Sequence, residues 1–132
     1  MALDVSELPT WMRRALLATG VMNVLGAGLF LPPAGGLRAL AGVPPGEHGV
    51  YLTTLAMFVF SFGLAYLYAG ATGRADRLFI ALSAGGKLSF VAILVFYWAS
   101  GSISIRAPLA ATGDVVFGLL FLTWLVTSRA EE

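Results

Sequence analysis

The chain contains no cysteine, which excludes disulfides, thiolate metal sites, iron–sulfur clusters and cysteine nucleophiles together. It has one histidine, His48, set beside proline and glycine, so a bis-histidine haem or a His-rich metal site is excluded as well. No G-x-G-x-x-G or P-loop pattern stands between a strand and a helix, and the glycines at 26, 28, 85 and 86 read as packing positions rather than phosphate cradles. No metal and no cofactor is expected. Charge is also scarce. Only 11% of the 132 residues are charged, against about 25% in an ordinary soluble domain. That is too little to cover a water-facing surface. A net charge of +1 offers nothing to nucleic acid.

Apolar residues fill the space that charge leaves. They make up 58% of the chain, the mean hydropathy is +0.86, and they fall into long runs without strand-like alternation, which argues against a β-barrel. The expected fold class is all-α: a single integral membrane domain over 1–132, built as an antiparallel bundle of four transmembrane helices. The spans are placed at about 11–31, 50–71, 78–98 and 108–127. Residues 1–10 read as a polar lead-in with Asp4, Glu7 and Pro9, with room for one interfacial turn. An Arg pair before an apolar run also suits a signal peptide, but the run is long and no A-x-A-type site follows it, so cleavage is not expected. Pro32 and Pro33 end the first helix. The connection 32–49 carries four prolines and five glycines around a short LRALA core, long enough for one or two helical turns. Residues 72–77, TGRADR, make a tight charged turn, and Arg129 and the acidic tail Glu131–Glu132 close the chain.

Arg13, Arg14, Arg74, Arg77 and Arg129 fall on the side of the termini, and only Arg38 and Arg106 on the other. The positive-inside rule then puts both termini in the cytoplasm of a bacterial-type inner membrane. Trp11, Trp98, Trp124, Tyr51, Tyr66 and Tyr68 cluster towards span ends and read as interface anchors. In the second span Ala56, Gly63 and Gly70 recur every seven residues, a small-residue stripe against which another helix packs closely. Gly118 gives the fourth span a comparable face.

The third span, LFIALSAGGKLSFVAILVFYW, holds Lys87 near its middle. A cation at that depth needs a partner, a wet cavity or a function. Laid antiparallel, the spans bring Asn23 and Asp114 to a similar level on two other helices, so Lys87, Asn23 and Asp114 form the candidate ligand-binding set, with Ser61 a weak addition. Helical side chains lean towards their own N-termini, so Lys87 and Asp114 lean apart and a water or ligand is expected between them. The alternative is structural: Lys87 snorkels to the headgroups, Asp114 reaches the interface, and Asn23 glues two helices at roughly 0.6 kcal/mol. His48 beside Glu47 reads as a solvated loop pair more readily than as a pH sensor.

An Arg-led first span with small residues and Phe30 before a Pro/Gly connection, the compact TGRADR turn, and Gly86-Lys87 in the third span resemble the small four-span bacterial membrane proteins of the DoxX-like group. The resemblance implies an accessory component of a redox or envelope system without a defined catalytic residue. Two functional classes follow. One is a non-enzymatic accessory subunit or binding pocket for a small hydrophobic, amphipathic or anionic molecule, associating through its small-residue stripes into a homo-oligomer or larger membrane complex. The other is a small-molecule or proton-coupled transporter working as a homodimer. A membrane-embedded isomerase ranks third, because only Lys87 with Asp114 would supply its acid and base.

Overall fold

The computed structural model describes residues 5–44 and 48–130. The chain is all-α in class, 82% helical, and four long helices dominate the described residues: α1 (Thr10–Leu29), α3 (Gly49–Thr72), α4 (Arg77–Ala99) and α6 (Thr112–Ala130). Two short helices stand between them, α2 (Gly35–Leu40) and α5 (Arg106–Ala110). By length and composition α3 and α4 each suffice to cross a membrane, and α1 passes only when taken together with Pro32–Leu40, from which it is bent by 88°. Asp4, Glu47, Glu131 and Glu132 lie outside the described residues.

The helix ends follow the local sequence. Pro9 precedes α1, and His48 caps α3 by accepting the Val50 amide on Nδ1 at 3.1 Å. The Asp76 carboxylate does the same for α4 through the Leu78 amide at 2.7 Å. Gly73 ends α3 at φ 75°, a left-handed cap that a residue with a Cβ adopts only at a cost.

Three expectations are corrected. The lead-in and the TGRADR turn are not turns alone: β1 (Val5–Glu7) and β2 (Arg74–Asp76) pair antiparallel, with Ser6 opposite Ala75 and Glu7 opposite Arg74. Two such short segments satisfy each other's backbone groups where the chain leaves the helices. The fourth apolar run is not one helix from 108. It breaks at Ala111, and the apolar part of α6, Thr112–Ser128, belongs to the shorter class of 10–17 residues. Tyr66 and Trp124 are not interface anchors, because both are only 2% exposed and belong to the core.

That core lies at the end of the molecule carrying the strands, where Met12, Leu16, Ile80 and Phe121 are fully buried. Tyr66 sits among Phe62, Phe79 and Phe121 with ring centroids 5.5–6.1 Å apart. The Ala56/Gly63/Gly70 stripe is occupied by α1 of the same chain. A Cβ on Gly63 would lie 3.0 Å from Asn23 Cβ and from Val24 Cγ2, and one on Gly70 would lie 2.8 Å from Leu17 Cγ. Within the chain, the stripe thus receives α1. Arg13 locks the same pair of helices by donating to the Gly70 and Ala71 carbonyls at 3.1 and 2.9 Å.

Gly63→Ile should lower the thermal unfolding midpoint in detergent, by the equivalent of about 1–3 kcal/mol of overpacking. An unchanged midpoint with an altered oligomeric state would show that the stripe faces another chain.

Candidate functional site

The site forms where the core opens. Lys87 sits on the face of α4 that also carries Ser83 and Ala84, all three buried. Gly118 of α6 lets α4 come close at this level, for a Cβ there would meet Leu88 at 2.8 Å and Lys87 Cβ at 3.6 Å. Gly113 receives Met22 of α1 in the same way, its Cβ position lying 2.6 Å from Met22 Sδ. Helices α1, α4 and α6 thus converge around one ammonium group.

Lys87 is 6% exposed. Its Nζ donates to Asp114 Oδ1 at 3.0 Å and to Asn23 Oδ1 at 3.3 Å, and lies 5.2 Å from the centroid of the Tyr66 ring. The contact with Asp114 is direct, with nothing bridging it. Lysine has four methylenes to flex, and Asp114 stands in the first turn of α6, just past the break at Ala111. The break moves the start of α6 inward to that level, and the helix N-terminus favours the carboxylate. Asn23 is fixed from its other end, where Nδ2 donates to the Val59 carbonyl of α3 at 3.2 Å. Ser61 lies elsewhere: it is exposed on α3 and has no part in the cluster.

Two neighbouring cavities adjoin the cluster. One of about 250 Å³ is lined by Lys87, Asn23 and Asp114 together with Tyr66, Ser83 and Gly86. Another of about 350 Å³ is lined by Asn23, Asp114, Gly26, Ala41, Val43 and Pro44, so residues of the Pro/Gly connection form part of its wall. Both cavities share Asn23, Asp114, Phe30, Leu55 and Phe90. At Gly26 and Gly86 an added Cβ would meet nothing within 4 Å. These glycines leave space where their counterparts at 63, 70 and 118 close it.

Tyr66 and Ser83 join the residues that the sequence points to. Ser83 is legible from its spacing, four residues before Lys87 on the same helical face. Tyr66 was legible from its spacing, since 63, 66 and 70 follow the i, i+3, i+7 pattern of one helical face that includes two of the small residues. One turn before Asn23, the Thr19 hydroxyl is buried and has no hydrogen-bond partner among the described residues. Among the described residues no group of three or more His, Cys, Asp or Glu side chains is placed to hold a metal ion.

Comparison with protein-family models, with curated proteins and with solved structures gives no match. The site is therefore read from its own chemistry. A buried ammonium, a carboxylate and a carboxamide on three helices form a polar floor under apolar walls. Apolar walls around a few convergent polar groups are the general make-up of small-molecule pockets.

Lys87→Met or Asp114→Leu alone strands a buried charge and should destabilise the protein by about 3–5 kcal/mol. The double variant should be destabilised by clearly less than the sum, as read by unfolding in mixed micelles. Additive effects would mean that the pair is not coupled.

Proposed function

We propose that the four long helices cross the bilayer as an antiparallel four-span bundle, both termini cytoplasmic in a bacterial-type inner membrane, and that the chain holds a small hydrophobic or amphipathic molecule beside Lys87 without transforming it. The observation that carries this reading is the neutralised ammonium at the floor of the apolar cavity. A charge buried only for packing needs no empty space beside it, whereas this one borders about 250 Å³ that Gly86 keeps open. The span count is supported by the approach of α1 to α3 and of α4 to α6. Arg13 meets the end of α3, and Arg77 donates to Ser128 Oγ and to the Leu125 carbonyl of α6 at 2.8 Å. An accessory role of the kind implied by the DoxX-like resemblance is compatible with a site whose ammonium and carboxylate are engaged with each other.

Transport is the second reading, favoured by one observation. Helix α1 turns by 88° into Pro32–Leu40, and the α5–α6 break at Ala111 lies three residues from Asp114. Interrupted helices beside a midplane polar site are a feature of transporter binding sites.

The test of binding is to extract the purified protein with organic solvent and identify what leaves with it by mass spectrometry. A small amphiphile should accompany the native chain in near-stoichiometric amount and be lost from Gly86→Leu, which fills the cavity and leaves the ion pair in place. Equal recovery from both would contradict the site. Span number is checked independently, because the chain has no cysteine. Glu7→Cys should be labelled only from the cytoplasmic side and Ser102→Cys only from the other; labelling from one side would refute the bundle.

A further inference from the structure

The ligand's head group follows from the hydrogen-bonding groups that the cluster leaves over. An ammonium has three N–H donors, and a carboxylate has two oxygens that only accept. Lys87 uses one donor on Asp114 Oδ1 and one on Asn23 Oδ1. Among the described residues its third N–H has no oxygen partner, and Asp114 Oδ2 has no donor. Both residues line the same cavity. The two unused groups belong to one ion pair, so a donor and an acceptor stand side by side. Their formal charges already cancel.

We propose that the molecule held here is an uncharged amphiphile with a hydroxyl head, of the long-chain alcohol class; this rests on the pocket reading above and narrows it. The hydroxyl oxygen accepts from Lys87 Nζ and its proton is donated to Asp114 Oδ2, so one small group satisfies both. An ionised carboxylate head brings a second negative charge beside Asp114 and has no proton for Oδ2. An ammonium head brings a second positive charge beside Lys87. Each is penalised in a site walled by hydrocarbon, where charges are poorly screened. This narrows the broader class of small hydrophobic or anionic ligands by removing the anion. The tail has a path. It leaves the polar floor between Phe30, Leu55 and Phe90, which both cavities share, and runs past Gly26 towards Val43 and Pro44 of the connection.

The experiment uses the full chain in nanodiscs of uncharged lipid at neutral pH, with two photoreactive probes. One is a long-chain alcohol carrying a diazirine in its tail, and the other is the carboxylate of the same length. Labelled residues are mapped by mass spectrometry and normalised to Val126, which is 69% exposed on the outer face of α6 and reports contact from the bilayer. The alcohol should label Leu55 and Phe90 at least about tenfold more strongly than the carboxylate, a difference of one decade in binding. Gly86→Leu should reduce that labelling to the Val126 level. If the carboxylate labels Leu55 and Phe90 as well as the alcohol does, and Gly86→Leu removes both signals, the head-group assignment is wrong while the pocket stands. If neither probe exceeds the Val126 level, the assignment and the pocket fall together.

Discussion

The structure depends on keeping one ammonium group charged in an apolar interior. Desolvating an ion costs several kcal/mol even after the protein relaxes around it, and the cost is met only by close, well-aligned partners. Lys87 is the sole lysine of the chain and Asn23 its sole asparagine, so the cluster has no substitutes nearby. Each neighbouring feature serves the contact. Gly118 brings α6 against α4, the interruption at Ala111 brings the first turn of α6 to the required level, and Val59 holds Asn23 in place through its carbonyl. Tyr66 presents its ring to the same cation from α3, and is itself fixed by the aromatic core below.

Three of the arginines are also committed, to backbone carbonyls near helix C-termini. Arg13 binds the last turn of α3, and Arg77 the end of α6 while covering the Trp124 ring at 5.2 Å. Arg38 donates to the Leu29 carbonyl at 3.0 Å, to the Leu31 carbonyl, and to that of Pro32 at 3.3 Å, pinning the connection across the end of α1. A guanidinium suits this because its planar fork spans two or three carbonyls and the negative end of the helix dipole attracts it. Of the cavities, two border the Lys87 cluster and one of these reaches the Pro/Gly connection, while a third lies between α1 and α3 beside Ala56.

How much of this was readable in the sequence differs from feature to feature. Helical class and the apolar segments follow from composition and run length, which no tertiary contact overrides. The common depth of Lys87, Asn23 and Asp114 follows from counting residues along antiparallel helices, and their contact needed one thing counting does not give, the break at Ala111. In PLAATGD only Pro108 and Gly113 hint at it, and neither marks Ala111 itself, because alanine and threonine are compatible with an unbroken helix. The β1–β2 pair was missed because three-residue strands carry too little periodicity to be seen. Tyr66 and Trp124 were placed at the interface because span-end aromatics often anchor there. Burial of these two is decided by which helix faces which, and that is a tertiary fact. Ser61 was included on depth alone, and depth without helix rotation does not place a side chain in a site.

The central claim is that Lys87 is held inside the bundle by Asp114 in the lipid-embedded protein. A single lysine makes it directly measurable, since ¹⁵N-lysine labels one side chain only. Solid-state NMR in bilayers, with ¹³C-labelled aspartate, reads the dipolar coupling between Lys87 Nζ and carboxylate carbons. The account predicts a strong coupling to Asp114, matching ion-pair contact at N···O separations within about 4 Å, that disappears in Asp114→Asn labelled the same way. An ammonium with no carboxylate coupling, in contact with headgroup phosphate instead, would contradict it.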